Sequence, residues 1–297
     1  MQRGSRRVLR SFAVRLLRSP SRFVLRHWIR HDEIVRVRQQ LRYLALAQLL
    51  ARAEERPLDL AVYELSLFSQ NGEDGVIAEI LRRLGSGGRY FVEVGASGNE
   101  ANCLLLADAF GWGGLFVEAD RSECESLAHR YAGRQQVRVV QEFVTRENFA
   151  ESLRSNGVRN DFDLLSIDID GNDYWIWDSI AGYAPRIVVI EYNAGLDPAS
   201  QLVQPYQPQQ AWDSTGFYGA SLGALRHLAA KKGYRLVHAE LTGTNAFFVR
   251  GDLVGQQFVR EDDIAHRAAN HFLYGLRYSG RERGRTYVDV GDKEGKP

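Results

Sequence analysis

Tyr90-Phe91-Val92-Glu93-Val94-Gly95-Ala96-Ser97-Gly98 opens the stretch that decides the fold, and Gly114-Leu115-Phe116-Val117-Glu118-Ala119-Asp120 closes it. Between them, Glu100 to Phe110 has the composition of a short helix. An apolar strand, a glycine turn, a helix and a second apolar strand ending in acid make half of a mononucleotide-binding βαβ unit. Gly95 and Gly98 lack a Cβ, so the backbone can turn sharply from strand into helix and leave room for a ligand against the main chain. Roughly twenty residues further on, Glu118 ends the next strand, where a carboxylate can accept both hydrogen bonds of a ribose diol.

An adenosine-containing ligand follows, and the turn says which kind. A pyrophosphate needs a G-x-G-x-x-G cradle of backbone N–H groups and is repelled by a nearby carboxylate. Here the turn is G-x-x-G, and Glu93 stands just before its first glycine. S-adenosylmethionine has no phosphate and carries a cationic sulfonium and an ammonium group, so acid suits it. A glycine turn between strand and helix also occurs in parallel α/β proteins with no adenosine ligand, so the remaining chain must carry part of the argument.

Outward from this core, the strands continue. Val137-Arg138-Val139-Val140, Leu164 to Asp170 and Ile187 to Asn193 read as the third, fourth and fifth, with Tyr234-Arg235-Leu236-Val237 and Asn245 to Val249 after them. Helices are expected over Val76–Leu84, Cys124–Tyr131 and Ala220–Lys232. The first five strands are continuous apolar runs rather than alternating ones, as in a sheet covered by helices on both faces. Residues 194–219, rich in Gln, Pro and aromatics, read as a long irregular segment. Ahead of the first strand, Ser69-Gln70-Asn71-Gly72-Glu73-Asp74-Gly75 makes a turn in which Asp74 can cap the following helix; capping leaves Ser69, Gln70 and Glu73 unexplained.

The strand ends gather acid. Glu93, Glu118, Asp168, Asp170, Glu191 and Asn193 all fall at the carboxyl ends of strands, where open parallel sheets hold their ligands. Asp168 and Asp170, two apart, are expected on one side of their strand. With Glu191 and Asn193 they offer hard oxygen ligands to Mg²⁺ or a similar ion, which would lower the pKa of an acceptor hydroxyl. The other reading has Asp170 capping the helix after Gly171 and Asp168 bonded to the amino end of the cofactor without metal. Among the histidines His129, His227, His238, His266 and His271, only His238 follows a strand closely enough to be a candidate base. No Ser-His-Asp pattern, nucleophile elbow or cysteine motif occurs.

At 297 residues with 44% hydrophobic and 25% charged residues, the chain has the make-up of an ordinary globular protein with an appendage. It lacks the run of about eighteen apolar residues that a spanning helix needs. Its 2 cysteines, Cys103 and Cys124, are too few for a disulfide scaffold and are expected as free thiols in a reducing compartment. The net charge of +1 conceals an asymmetry, because residues 1–42 hold twelve arginines against Asp32 and Glu33. Ser19-Pro20 and Asp32-Glu33 read as helix starts, and Ile34, Val37, Leu41 and Leu44 as a short apolar seam. Arginines interrupt every apolar run too soon for a secretory signal, although the Arg-rich, acid-poor start also has the character of an organellar transit peptide. A basic amphipathic arm on anionic lipid or another acidic partner is the preferred expectation, with packing on its own domain or a second copy, as in a homodimer, beside it. The expected organisation is thus a basic helical extension over 1–62, an α/β domain over 63–280 and a polar, poorly ordered tail over 281–297.

The stretch from Tyr90 to Asp120, the segment Asp168-Ile169-Asp170-Gly171-Asn172-Asp173 and Ile190-Glu191-Tyr192-Asn193 together resemble the class I S-adenosylmethionine-dependent methyltransferases, and within them the FkbM-type group. Ser69 to Gly75 and Tyr218-Gly219-Ala220-Ser221-Leu222 resemble a bacterial branch of that group found near polysaccharide biosynthesis. The likeness spans roughly residues 65 to 255. It implies a Rossmann-like, doubly wound sheet of about seven mostly parallel strands with the last antiparallel, and O-methylation of a sugar or related hydroxyl. By position, Glu93, Gly95, Ala96 and Gly98 would form the cofactor loop, with Gln70 and Asp74 near it. Glu118 would hold the ribose, and Asp168 the methionine end. Asp168, Asp170 and Glu191 would be the catalytic carboxylates. The chain has Asp170-Gly171-Asn172-Asp173 where Glu-Gly-Ala-Glu is commoner, which leaves the role of Asp173 and the substrate open.

Two functions of different kind are therefore carried forward. One is an O-methyltransferase acting on a glycan or lipid-linked sugar, cytoplasmic and held at the membrane surface by its arm. The other is a methyltransferase-like scaffold without turnover. A nicotinamide-dependent oxidoreductase lacks its phosphate cradle, and specific nucleic-acid methylation lacks an Asn-Pro-Pro-Tyr-like motif; the arm alone would bind nucleic acid without sequence preference.

Overall fold

In a computed structural model of the chain, the described residues are 58–85, 87–209, 212–264 and 284–291, with Leu41 and Leu44 in addition. The chain divides into two compact units, Met1–Arg52 and Ala53–Pro297. Of the first unit, Leu41 and Leu44 are described; both are helical and exposed. The expected helices around Ser19-Pro20 and Asp32-Glu33, the arm as a lipid-binding face, and His266 and His271 lie outside the described residues.

In the second unit, a 3-10 turn, Leu60–Tyr63, buries Leu60 and Tyr63 among Val76, Ile77 and Ile80. An extension ending at residue 62 would cut through this packing, so the domain begins earlier than the sequence suggests. Helix α1 (Glu73–Leu84) carries acid in its first turn and Arg82 and Arg83 in its last, each sign matching the helix dipole. Then follow β1 (Tyr90–Val94), α2 (Leu104–Asp108), β2 (Gly113–Glu118), α3 (Arg121–Tyr131), β3 (Val137–Gln141), α4 (Phe149–Ser155), β4 (Leu164–Ile167), α5 (Asp173–Ser179) and β5 (Ile187–Glu191). The chain continues through β6 (Leu202–Val203), α6 (Leu222–Lys231), β7 (Tyr234–Ala239), β8 (Asn245–Arg250), α7 (Gly251–Val254) and β9 (Val288–Asp289).

Seven strands form one sheet in the order β3-β2-β1-β4-β5-β8-β7. β1 pairs in parallel with both β2 and β4, β2 with β3, and β4 with β5; β8 alone runs against its neighbours. This is the Rossmann-like, doubly wound arrangement of the class I methyltransferases, with its single reversed strand. Side chains alternate across the sheet: Val92, Val94, Leu165, Ile167, Val188 and Ile190 face a core built with α4, α5 and α6. Phe91, Phe116, Leu164, Ile187 and Val189 face a second core built with α1, α2 and α3. With both faces covered, β4 and β5 are buried along their whole length and β1 along all but its first residue, and apart from Glu93, Ser166 and Glu191 they are apolar or aromatic, hence the continuous runs of the sequence.

Several boundaries move for local reasons. The helix expected over Glu100–Phe110 is α2 alone, because the Glu93 carboxylate takes the N–H groups of Asn102 and Cys103 at 2.7 and 2.9 Å and holds the preceding loop out of helical register. The helix expected from Cys124 starts at Arg121, since Asp120 caps it by accepting from the N–H groups of Ser122 and Glu123. His238 lies inside β7, buried, with Nε2 2.8 Å from Glu64 Oε1, and is removed from the candidate bases. The expected disordered tail is also corrected. β9 pairs with β6, the rings of Tyr287 and Phe217 pack tilted with centroids 4.4 Å apart, and Arg285 pairs with Asp213, so residues 284–291 fold onto the 194–219 segment. Residues 281–283 and 292–297 lie outside the described residues.

Candidate functional site

The sheet's strand order reverses between β1 and β4, and parallel sheets bind ligands at the carboxyl ends on either side of such a switch. A cleft of about 320 Å³ lies there. Gly95 leaves β1 at φ +84°, a conformation that favours glycine, and its N–H donates to the Val117 carbonyl at 3.0 Å. Glu118 ends β2 half-buried; its Oε1 accepts the N–H of Asp120 at 2.6 Å, and burial raises its pKa. Beyond β3, the Glu142 N–H donates to the Glu118 carbonyl at 2.9 Å, continuing the parallel pairing, and Phe143 stands exposed at the cleft.

Beyond β4 the chain turns out through Asp168, Ile169 and Asp170. The Asp168 N–H still reaches the Val94 carbonyl at 3.1 Å, but Asp170 adopts φ +56°, a left-handed position that aspartate tolerates better than most residues. Asp173 makes this turn: its two carboxylate oxygens accept the N–H groups of Ile169 and Gly171, each at 2.9 Å. Burial holds the Asp173 pKa up at about 6 in spite of these bonds. Its role is therefore to pin the loop. Asp170 does not cap α5, because Asn172 occupies the N-cap position. Asp168 and Asp170 still come together, by the turn rather than by strand alternation.

Among the described residues, five carboxylates line the cleft, those of Glu118, Asp120, Glu142, Asp168 and Asp170, and no lysine or arginine does. Val94, Val117, Val144 and Phe143 supply its apolar wall, and Trp212 and Asn172 complete it. The 194–219 segment is tied down beside it: Trp175 Nε1 donates to the Gln204 carbonyl and Asn172 Nδ2 to that of Gln207, both at 2.8 Å.

Of the residues singled out from sequence, Gly95, Glu118, Asp168 and Asp170 line the cleft. Glu191 is the buried last residue of β5 and offers a carboxylate oxygen within 4.8 Å of those of Asp168 and Asp170. The others are placed differently. Glu93 is buried beneath the turn, on its two amides, and burial raises its pKa to about 7. Ala96 is fully buried. The Gly98 N–H donates to Glu123 Oε2 at 2.9 Å, and a Cβ there would run into Ser126, so this glycine serves helix packing rather than a ligand. Asp74 does not cap α1. Its Oδ2 accepts the N–H groups of Leu67, Phe68 and Ser69, while Glu73 takes the Asn245 side-chain amide at 2.8 Å. Gln70 is exposed on that loop. Asn193 is withdrawn from the expected metal ligands. Its Nδ2 donates to the carbonyls of Gly216 and Tyr218, and its Oδ1 accepts the Gly195 N–H at 2.9 Å.

Sequence reasoning does not find Glu142 or Phe143, reads Asn172 only as part of the turn after the fourth strand, and reads Trp212 only as an aromatic of the irregular segment. The first two sit immediately after the third strand, at the same sheet edge as Glu118, so extending the strand-end rule by one strand finds them. Trp212 lies in an irregular segment where periodicity gives no signal.

No family model and no curated protein matches the chain. Among solved structures it is similar to the N-terminal domain of EvdMO1 with SAH bound, at 15% identity over 62% of this chain and 81% of that one, TM-score 0.40. It is also similar to SAM-bound CalS10, an amino pentose methyltransferase from Micromonospora echinaspora involved in calicheamicin biosynthesis, at 15% identity over 60% and 90%, TM-score 0.39. A SAM-dependent methyltransferase from Aquifex aeolicus shares 8% identity over 58% and 88%, TM-score 0.32. At these values the likenesses carry no argument about activity, and the function must be argued from the cleft.

Proposed function

We propose that the protein is an S-adenosylmethionine-dependent O-methyltransferase acting on a hydroxyl of a sugar, glycan or lipid-linked saccharide. The observation that carries this reading is a cleft at the topological switch point whose lining, among the described residues, has five carboxylates and no cationic side chain. Such a lining repels a pyrophosphate or a nucleoside triphosphate and attracts a ligand whose charges are a sulfonium and an ammonium.

Glu118 suits the ribose hydroxyls, with the oxygen not taken by the Asp120 amide left to accept them. Phe143, Val117 and Val144 suit the adenine ring, and Asp168 the methionine ammonium. S-adenosylmethionine supplies an electrophilic methyl group: the S–CH₃ bond breaks with its electron pair going to sulfur, the O–CH₃ bond forms, and the acceptor hydroxyl loses its proton. The protein's own part is to align the acceptor oxygen with the sulfonium, exclude water and favour that proton loss. Trp212 at the cleft, and the edge-packed rings of Trp175 and Tyr206 on the segment beside it, offer apolar faces of the kind a sugar ring packs against. The arginine-rich arm would hold the chain at an anionic membrane surface, where lipid-linked acceptors reside.

The test is transfer of label from methyl-labelled S-adenosylmethionine to a panel of free and nucleotide-linked sugars and lipid-linked saccharides. Label in a saccharide fraction supports the assignment. Cofactor binding with no label in any acceptor would point instead to a binding or scaffold protein.

A further inference from the structure

We infer that Tyr218 is an acceptor-binding residue, whose phenol hydroxyl meets an uncharged sugar ring at the carboxyl end of β5. The site it forms with the carboxylates around it selects against acceptors that carry phosphate or carboxylate beside the reacting hydroxyl. The inference deepens the proposed function and rests on it for the reaction, and not for whether Tyr218 holds a saccharide.

The backbone around Tyr218 is fixed from two sides. From the end of β5, Asn193 Nδ2 donates to the carbonyls of Gly216 and Tyr218, each at 3.0 Å, and the Asn193 N–H donates to the Ala220 carbonyl at 2.8 Å. From the C-terminal segment, the Tyr287 hydroxyl donates to the Gly216 carbonyl at 3.2 Å, and its ring packs tilted on Phe217. A residue of an irregular segment is thereby given a defined place at a strand end. Tyr218 is half-buried there, and the groups that act most strongly on its phenol are Glu191, Tyr287, Asp170 and Asp168. The phenol thus stands where β4 and β5 deliver their carboxylates, two of which line the cleft. Its main-chain carbonyl is taken by Asn193, yet its hydroxyl makes no hydrogen bond among the described residues. Half-buried hydroxyls ordinarily have a partner, and here a ligand can supply it.

The chemistry of the surroundings says which ligand. Burial, with the nearby carboxylates adding to it, pushes the Tyr218 pKa far above its ordinary value, so the phenol keeps its proton and is a donor. A sugar hydroxyl accepts such a bond through its lone pairs and gives its own proton to a carboxylate. One donor among several acceptors is therefore complementary to a hydroxyl and to the hydroxyl next to it on a ring. A phosphate or carboxylate in the same place would face Glu191, Asp170 and Asp168, and none of the groups acting on Tyr218 is cationic. Any pyrophosphate of a nucleotide-linked or lipid-linked acceptor must then lie away from the reacting ring, as it does when the ring is the far end of a saccharide.

The probes are methyl α-D-glucopyranoside and methyl β-D-galactopyranoside as neutral glycosides, with methyl β-D-glucuronide and glucose 6-phosphate as anionic ones. Their binding to the full-length protein, in the presence of S-adenosylhomocysteine, is followed by saturation-transfer difference NMR. Calorimetry of S-adenosylhomocysteine and thermal unfolding accompany it. The wild type should bind at least one neutral glycoside and neither anionic probe. Tyr218→Phe should weaken the neutral glycoside about three- to tenfold, the loss of one neutral hydrogen bond. It should melt as the wild type does and keep its affinity for S-adenosylhomocysteine, because the hydroxyl removed has no partner among the described residues; this separates a lost contact from a lost fold. Wild-type glycoside affinity in Tyr218→Phe, anionic probes binding as well as neutral ones, or no glycoside binding by wild type that does bind S-adenosylhomocysteine would each overturn the inference. Failure of the methyltransferase reading has a different signature. Glycoside binding that depends on Tyr218, with no binding of S-adenosylhomocysteine, removes that reading and sustains Tyr218 as a saccharide-binding residue.

Discussion

The main chain of Gly95 runs so close to that of Asp168 that a Cβ on Gly95 would overlap the Asp168 carbonyl oxygen. The turn after β1 and the turn after β4, which flank the sheet's switch point, are thus fitted to each other at the place where the cleft opens. Gly95 also sits at φ +84°, so its requirement for glycine is double. Gly95→Ala should destabilise the domain by about 2–5 kcal/mol, combining the left-handed penalty with overpacking. Urea unfolding checks this; a loss below about 1 kcal/mol would mean that the two turns separate easily.

Glu118→Ala should weaken S-adenosylhomocysteine binding by the loss of charge-assisted hydrogen bonds to the ribose, about 1.5–3 kcal/mol, or on the order of ten- to a hundredfold in Kd. Calorimetry on the variant reads this directly. Unchanged affinity would remove Glu118 from the ribose.

Glu93 makes the stability of the domain depend on pH. Its folded pKa of about 7 lies above its ordinary 4.5, so between these values the folded chain holds a proton that the unfolded chain has lost. The corresponding stability is present below pH 4.5 and is lost as pH rises towards 7, to an extent on the order of 3 kcal/mol. Glu93→Gln cannot titrate. The difference in unfolding free energy between wild type and this variant should therefore shift against the wild type across that window. Parallel pH curves for the two proteins would contradict the assignment.

Far from the cleft, Asp163 is wholly buried, and its Oδ1 accepts from Arg186 at 2.9 Å while its Oδ2 accepts the Tyr90 N–H at 3.1 Å. Arg186 also binds the carbonyls of Leu84 and Gly85, tying α1 to the sheet. Asp163→Ala leaves a largely buried guanidinium and a strand amide without their partner and should cost about 3–5 kcal/mol. The folded fraction should keep wild-type affinity for S-adenosylhomocysteine; altered affinity would mean that this brace also shapes the cleft.

How far the sequence discloses the fold depends on the range of the interactions. The positions of the central strands follow from apolar runs such as Leu164–Leu165 and Ile187–Ile190, because burial on both faces writes itself into consecutive residues, whereas the doubly wound sheet of seven strands is implied by the family resemblance alone. Gly95, Glu118, Asp168 and Asp170 are legible for a similar reason, since a strand end fixes which sheet edge a residue occupies. What periodicity cannot show is where a side chain bonds. Glu93 and Asp74 hold backbone amides from neighbouring loops, and Asn193 is spent on Gly216 and Tyr218, yet in sequence all three look like ligand carboxylates or amides. The same blindness hides β9, whose partner β6 lies some eighty residues earlier and whose two-residue ladder has no repeating pattern to read.

The most direct test of the account is calorimetric titration of the purified protein with S-adenosylhomocysteine, with NAD as control. The account predicts saturable one-to-one binding of S-adenosylhomocysteine and none of NAD, since the carboxylate-lined cleft admits a cationic amino acid end and repels a pyrophosphate. Binding of NAD, or of neither ligand, would contradict it.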